Sequence, residues 1–238
     1  MAIRATGQRI LVEQYEISRW VRTQRFTESI AEHDVTGMNQ LAREFVPGFP
    51  DAGGELSGHL DHAINASGST LKGMLGTPDR IWTVAYDTFA PGKDVDMALA
   101  ALTAFRPSWS VQAPAGLAGS LIVNGAIAGG RSLQDLQALG AGNGAWVDWG
   151  ASSTNGAVLH LHVLAITGSP SGLDYVLEDS DDGVNGSPVT AGAFATVTAP
   201  GAQRLIVPGT IRRYTRIVRS FTGGSTPTAT AAIAMARR

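Results

Sequence analysis

The chain has 238 residues, of which 44% are hydrophobic and 16% are charged, and its formal net charge is −2. It contains no cysteine, which excludes a disulfide scaffold, thiolate metal sites and cysteine nucleophiles. Since the chain is long enough to bury a core and lacks a run of about 18 apolar residues, which a membrane helix needs, we expect a soluble protein of one large or two small domains, made in a reducing compartment.

Most of the sequence has the pattern of antiparallel sandwiches and barrels, in which short apolar or alternating runs are bounded by Gly, Pro, Asn and Asp. In chain order, strands are predicted at 9–13, 18–35, 55–61, 81–87, 98–106, 119–124, 145–149, 157–166, 175–178, 193–198, 204–207, 211–221 and 228–236. Helical patterns are rare: one short helix is predicted at 69–75, and a second at 132–139 would end at Gly140. The Ala/Leu run at 94–105 fits both a helix and a strand.

A domain boundary is predicted in the glycine-rich stretch 125–144, which contains six glycines and separates two strand-rich halves. Glycine lowers the cost of irregular backbone and weakens a strand. We therefore predict a β domain at 1–128, a Gly-rich linker at 129–144 that includes the second short helix, and a β-sandwich domain at 145–238.

Neither face of the predicted strand 18–35 is apolar along its whole length, so neither face can pack on an ordinary core. One face carries Trp20, Arg22, Gln24, Phe26, Glu28, Ile30 and Glu32, and the other carries Arg19, Val21, Thr23, Arg25, Thr27, Ser29 and Ala31. Two interpretations are open. The strand is either a solvated ribbon that extends past its sheet, or a strand whose polar faces line a channel or a subunit seam in a closed assembly.

The segment 36–50 is predicted to be a long connection, and it contains Leu41, Phe45, Val46 and Phe49. Loops of this length are either functional or disordered, and disordered segments are poor in such residues. The segment therefore either folds back onto its own domain or docks on another chain, where aromatic side chains contribute most of the binding energy. We favour docking.

Motifs for enzymatic chemistry are absent from the sequence, which has no GxSxG, no GxxxxGK[ST] and no HExxH. His160 and His162 share a strand face but stand among apolar residues, so we expect a pair of interface or partly buried histidines rather than a metal site. The acidic run 178–182 lacks a calcium-loop carboxylate at its twelfth position, which is Thr190 counted from Asp179. We therefore predict a polar turn there, and no enzyme, cofactor or metal site in the chain.

The segment from Gly201 to Arg238 contains seven arginines and no acidic residue. Four of them lie in one predicted strand, two on each face: Arg212, Arg213, Arg216 and Arg219. Arginines on both faces of a mildly acidic chain argue against nucleic-acid readout, whereas the planar guanidinium suits carboxylate pairing at protein interfaces. We predict ion pairs between chains or between domains, with a solvated basic face as the alternative.

The N-terminal half contains, in order, GQRILVEQYEISRWV, a long polar strand and HDVTGMNQLAREFVPGFPDAGGELSGHLD. Through this order it resembles the major tail (tail tube) proteins of long-tailed phages, with matching residues Asp34, Val35, Thr36, Arg43, Phe45, Pro47, Gly48, Gly54, Leu56 and Gly58. The second half is similar to C-terminal β-sandwich domains of actinobacteriophage-type virion proteins, through LHLHVLAITG, LEDSDDG, FATVTAPGAQRLIVPGTIRRYTRI and the alanine-rich end.

The resemblance implies a mainly β fold, in which a tail-tube-like β-sandwich or half-barrel with a short flanking helix precedes a second β-sandwich. It implies homo-oligomeric rings, of six subunits or of three, that stack into a tube. DNA would pass through this tube into the host as transient, non-specific cargo. The implied partners are further copies of the chain, a tail terminator and a tape measure (ruler) protein. The implied location is the virion tail, assembled in the host cytoplasm, with no membrane and no cofactor.

The resemblance also implies roles for individual residues. The connection becomes an inter-ring loop that contains Leu41, Arg43, Phe45, Val46, Pro47 and Phe49, and the polar ribbon becomes a lumen strand that contains Arg22, Gln24, Glu28 and Glu32. Because a bore must not hold DNA, we expect Glu28 and Glu32 to point inward with Arg22 partly paired to them. The alternatives are another virion subunit, such as a capsid decoration protein or a tail terminator, and a glycan-binding β-sandwich adhesin.

Overall fold

The structure is a computed structural model that describes residues 8–34, 45–61, 67–109, 115–184 and 188–238; for 31–34, 45–50 and 67 it describes the backbone alone. The described residues form sixteen strands and one helix, so the predicted mainly β fold with a short helix is confirmed. The helix α1 is Ser67–Met74. The strands are β1 (Arg9–Val12), β2 (Tyr15–Glu16), β3 (Val21–Asp34), β4 (Phe45–His59), β5 (Arg80–Ala85), β6 (Asp94–Ser108), β7 (Gly116–Val123), β8 (Ala128–Leu139), β9 (Gly142–Asn143), β10 (Val147–Asp148), β11 (Ala157–Thr167), β12 (Gly172–Ser180), β13 (Val189–Ala193), β14 (Gly201–Val207), β15 (Tyr214–Thr222) and β16 (Thr228–Arg237).

The chain divides into two compact units that alternate along the sequence. The sandwich unit comprises the described residues of 1–19, 81–97 and 128–238, and the ribbon unit comprises those of 20–80 and 98–127. This division differs from the predicted one at 128/145. The first β strands belong with the C-terminal half because Leu11 and Ala85 are buried in one cluster with Ala232 and Ala234 of β16.

Two predicted elements are wrong. The segment 132–139 is part of strand β8 rather than a helix in a linker. Its polar residues Ser132 and Gln134 hide the alternation of a strand, but both side chains are buried in the sheet. Ser132 donates a hydrogen bond to the carbonyl of Phe89, and Gln134 donates one to the carbonyl of Ala231. The predicted connection 36–50 is also too long, since β4 already begins at Phe45.

The sandwich unit is built from two sheets. One has the order β14-β11-β16-β8 and continues through β6 to β5, β1 and β2; the other has the order β10-β15-β12-β13, with β9 beside β15. Residues of both sheets form one dry core, in which Leu159 and Ile233 of the first sheet cluster with Tyr175 and Ile217 of the second. Burial of such side chains, each worth about 1.5–3 kcal/mol, is what holds the two sheets together.

The ribbon unit is a four-stranded antiparallel sheet of β3, β4, β7 and the second part of β6, together with α1. Leu71 and Met74 bury the apolar side of the short helix. The chain leaving the helix is tied to β6, because the Gly76 N–H donates to the carbonyl of Leu102 at 2.9 Å. The helix predicted at 69–75 is thus confirmed, and the ambiguous run 94–105 is a strand.

Candidate self-assembly surfaces

The β3–β4 pair is longer than the sheet that carries it. Its pairing runs from Val21↔Gly58 to Asp34↔Phe45, whereas β4 pairs with β7 only over Gly53–His59. Within the described ranges β3 has β4 as its only neighbour. The outer part, 28–34 with 45–52, therefore extends past the sheet as a two-stranded ribbon, and on it the side chain of Ile30 is 58% exposed. We call this part the ribbon extension.

One face of the ribbon-unit sheet is covered. A Cβ atom built on Gly54 would lie 3.1 Å from the Phe26 ring and 3.5 Å from a Leu121 methyl group, so these side chains share a face. Leu56 and Leu121 on this face are 2% and 3% exposed. Gln24 stands directly opposite Leu56 in the register and therefore lies on the same covered face.

The other face of the sheet is open and carries short polar side chains. Three rows cross the four strands in register: Thr27–Gly53–Ile122–Ala101, Arg25–Glu55–Ser120–Ala104 and Thr23–Ser57–Ala118–Arg106. Thr23 and Ser57 share a hydrogen bond of 2.6 Å between their hydroxyls, and Ile122 is 59% exposed. We call this surface the open face; it combines one acidic and two basic side chains with small residues.

Part of the predicted lumen set does not lie on the open face. The amide atoms of Gln24 are buried and have no hydrogen-bond partner in the described part of the chain, so Gln24 does not line an open surface. The expected contact of Arg22 with Glu28 is not formed either. Arg22 Nε donates to His59 Nε2 at 2.9 Å, and Glu28 accepts a hydrogen bond from the backbone N–H of Ile127 at 2.6 Å. Glu32 also lies on β3, but only its backbone is described.

The predicted inter-ring residues fall partly outside the described residues. Leu41 and Arg43 lie there, in the segment 35–44. Phe45, Val46, Pro47 and Phe49 belong to the first part of β4, on the ribbon extension. Their docking on another chain stays a prediction, and it now concerns residues at the end of a strand pair rather than residues of a free loop.

The four predicted interface arginines have partners inside their own unit. Arg212 Nε contacts an Asp179 carboxylate oxygen at 2.8 Å, and the backbone N–H of Arg212 donates to the same carboxylate at 3.0 Å. Arg213 binds Asp148 with two bonds of 2.7 Å, which holds the pKa of the Asp148 carboxyl well below its usual range.

The remaining two arginines are buried. Arg216 is 6% exposed; its Nε lies 2.8 Å from Glu178, and its guanidinium lies 4.4 Å from the centre of the Trp146 ring. Arg219, 8% exposed, donates to the carbonyl of Gly140 and to Gln134 Oε1, both at 3.1 Å. All of these contacts lie within the sandwich unit, as in the cross-strand pair Glu178↔Arg216 of β12 and β15. Pairing of these arginines between chains stays a prediction.

A buried polar cluster joins His160 and His162 to Thr83. His162 Nδ1 lies 2.7 Å from the carbonyl oxygen of Glu13, so this nitrogen carries the proton, and Nε2 accepts from the Thr83 hydroxyl at 2.8 Å. His160 Nδ1 lies 3.2 Å from the same hydroxyl. Burial lowers the pKa of His160 to about 3 and that of His162 to about 4. Sequence reasoning missed this cluster because Thr83 lies 77 residues before His160.

The described residues hold no group of three or more His, Asp or Glu side chains arranged for a metal ion. Among the same residues, no helix is long and apolar enough to cross a membrane.

No protein-family model matches the chain, and no curated protein matches it. Among solved structures it is similar to a chain in the virion of a native gene transfer agent particle, with 16% identity and a TM-score of 0.43 over 53% of this chain and 97% of that one. It is also similar to the SPP1 tail tube, with 15% identity and a TM-score of 0.42 over 52% and 77% of the two chains. A third similar structure is SPP1 Dit, described as a paradigm of the hub adsorption apparatus of phages that infect Gram-positive bacteria, with 7% identity and a TM-score of 0.40 over 98% and 100%.

Proposed function

We propose that the chain is a virion structural protein whose copies assemble into rings, and that the rings stack into a tail tube through which DNA passes. The observation that carries this proposal is the ribbon extension: residues 28–34 of β3 pair with 45–52 of β4 and with no other described strand. An exposed strand edge of this length is a template for pairing with another chain. Closing such edges between neighbouring subunits into a barrel removes them.

The open face is the surface that we assign to the bore, in place of the face that contains Gln24. Most of its side chains are short hydroxyls, glycine and alanine, with Ile122 as an exposed apolar residue, and Arg25 stands directly opposite Glu55. DNA binding to proteins is driven mainly by the release of counterions when basic groups contact phosphates. On this face Glu55 offsets one of the two arginines, Arg25 and Arg106, so the surface carries little net charge with which to hold DNA.

The apolar residues at the start of β4 are assigned to ring stacking. Phe45 and Phe49 lie on the ribbon extension, next to the predicted inter-ring residues Leu41 and Arg43. An aromatic cluster at the tip of a strand pair can supply a docking anchor for the next ring. In this proposal a terminator and a tape measure protein are further partners. The chain acts in the virion tail after assembly in the host cytoplasm, and it is not an enzyme.

Electron microscopy of the purified full chain in negative stain tests the proposal. We expect stacked rings or tubes with a central hole. Single rings that do not stack would instead indicate a terminator, and a dispersed monomer at all concentrations would indicate a decoration subunit or an adhesin. Either of these results would overturn the tube assignment.

A further inference from the structure

The sandwich unit carries a solvent-open groove of about 340 Å³. Its size falls within the range of about 300–1,000 Å³ that small-ligand sites occupy. The groove lies over the start of β6 and β8, and we call it the Gly129 groove. Its lining includes Tyr86, Asp94, Asp96, Gly129, Arg131 and Trp149.

The floor of the groove is a glycine that the fold does not require. A Cβ atom on Gly129 would meet nothing within 4 Å, and its backbone is not left-handed. The next residue differs, because a Cβ atom on Gly130 would lie 2.2 Å from the carbonyl oxygen of Met235. Glycine weakens a strand, and where packing does not demand it, it often marks a place where a ligand approaches the backbone.

The polar groups of the groove come from paired strands and have both signs. Asp94 stands opposite Arg131, and Asp96 opposite Gly129, so the carboxylates and the guanidinium share the face of the groove. Asp94 is exposed, while Asp96 accepts a hydrogen bond from the hydroxyl of Tyr86. Arg131 Nη1 already donates to the Asp148 carbonyl at 2.6 Å, so the groove presents carboxylate acceptors beside the remaining donors of one guanidinium.

The two aromatic rings have different roles. Trp149 is fixed, because its indole N–H donates to the Thr215 hydroxyl at 2.9 Å and the guanidinium carbons of Arg131 and Arg237 lie 5.4 Å and 5.5 Å from its ring centre. It forms a rigid wall and positions Arg131. Tyr86 is 51% exposed and is the ring that is left to pack against a ligand.

We propose that the Gly129 groove binds a neutral carbohydrate. Sugar hydroxyls both donate and accept hydrogen bonds, so they match Asp94 and Asp96 on one side and Arg131 on the other, while an apolar sugar face packs on Tyr86. Arg131 offsets the charge of Asp94, which stands directly opposite it, and Asp96 already accepts a hydrogen bond from the Tyr86 hydroxyl. The mixed charge thus favours a neutral, polyhydroxylated ligand over either ion. This proposal does not depend on tube assembly.

Isothermal titration calorimetry of the full chain tests the site, with glucose, galactose, mannose, N-acetylglucosamine and their tetrasaccharides as probes. We expect one of these to bind with a Kd on the order of 1 mM or tighter, as fits a small open groove. Gly129→Val fills the floor without a backbone clash and should weaken binding by about tenfold or more, as should Tyr86→Ala. Gly201→Val is the matched control: a Cβ there would meet only the Ala199 carbonyl, at 4.0 Å, on β14 and outside the groove, so binding should not change.

Thermal unfolding of each variant distinguishes loss of the site from loss of the fold. The proposal is overturned if no sugar in the panel binds, or if binding survives Gly129→Val unchanged. It is also overturned if a decalysine peptide binds at the groove and the sugars do not, since the groove would then take a basic segment of a partner protein.

Discussion

Burial differs sharply between two arginines that stand three residues apart. Arg216 is 6% exposed, and its partner Glu178 has a side chain only 21% exposed, whereas the side chains of Arg213 and Asp148 are 44% and 42% exposed. Arg216→Ala would leave a half-buried carboxylate without its cation, so we expect the free energy of unfolding to fall by about 3 kcal/mol. Arg213→Ala should cost about 0–1 kcal/mol. Urea unfolding of both variants measures the difference, and equal losses would contradict it.

The buried histidines make the sandwich unit sensitive to acid. In the folded chain the pKa of His160 is about 3 and that of His162 about 4, mainly because burial disfavours the charged ring. An unfolded histidine has a pKa of about 6.5, so below that pH the unfolded state binds more protons. The free energy of unfolding should therefore fall between about pH 6.5 and pH 4, by up to about 1.4 kcal/mol per pH unit for each histidine.

His160→Asn tests this pH dependence, because asparagine can still place a polar atom near the Thr83 hydroxyl but does not titrate. Urea unfolding at several pH values between 7 and 4 gives the slope for each protein. The variant should lose stability less steeply than the parent chain. Identical slopes would show that His160 is protonated equally in both states.

Strand β8 depends on one of two adjacent glycines. Gly130→Ala should weaken the pairing of β8 with β16, because the new Cβ atom would lie 2.2 Å from the Met235 carbonyl oxygen, and the backbone must move. Gly129→Ala meets open space and should stabilise the chain by about 0.4–1 kcal/mol through the unfolded state. Thermal unfolding of the two single variants measures both effects. A Gly130→Ala variant that is more stable than the Gly129→Ala variant would contradict this expectation.

The same strand shows what local patterns can and cannot predict. Strand β7 was predictable because its buried and exposed residues alternate, and β5 and β16 were predictable because they are apolar runs buried on both faces. β8 was not, because Ser132 and Gln134 are buried polar residues whose hydrogen-bond partners, Phe89 and Ala231, are distant in sequence. Short strands such as β9 and β10 carry too few residues to show a period.

The candidate surfaces, too, were only partly predictable from the sequence. The polarity of both faces of β3 was visible in the sequence, but which face is open was not. That depends on the register with β4 and β7, which sets Gln24 opposite the buried Leu56. The partners of Arg212 and Arg216 could not be predicted from the local sequence either, because Asp179 and Glu178 come from a strand more than 30 residues earlier.

At the scale of the whole molecule, the start of β4 is the place where we expect stacking to be most sensitive. Phe45→Asp together with Phe49→Asp should leave the chain folded, because the ribbon extension lies beyond the β7 pairing, but should block ring-on-ring association. Val184→Asp with Val189→Asp is the matched control, since these side chains are 61% and 58% exposed in the sandwich unit. Sedimentation velocity should show tubes for the control and no tubes for the Phe variant; tubes in both would contradict the assignment.

The low charge of the chain fits a protein whose surface is covered by copies of itself, but the division into units was not predictable from composition. Glycines at 125–144 suggested a linker, while the structure uses Gly130 for close strand packing and Gly142 in β9. The units alternate along the chain because β1 pairs with β5 and β6 pairs with β8 through Asp94–Met97, contacts that no local signal reveals.

Hydrogen exchange of the backbone amides in dispersed and in assembled protein tests most directly whether copies of the chain cover the ribbon extension. We expect those amides of 28–34 that point away from β4 to exchange rapidly in the dispersed chain and to become strongly protected in the assembled particles, because a neighbouring strand would pair with the free edge of β3. The amides of Gly172–Ser180, already paired on both sides by β13 and β15 over much of their length, should not change. Unchanged exchange at 28–34 in assembled particles, or a chain that stays dispersed at every concentration, would contradict the proposal.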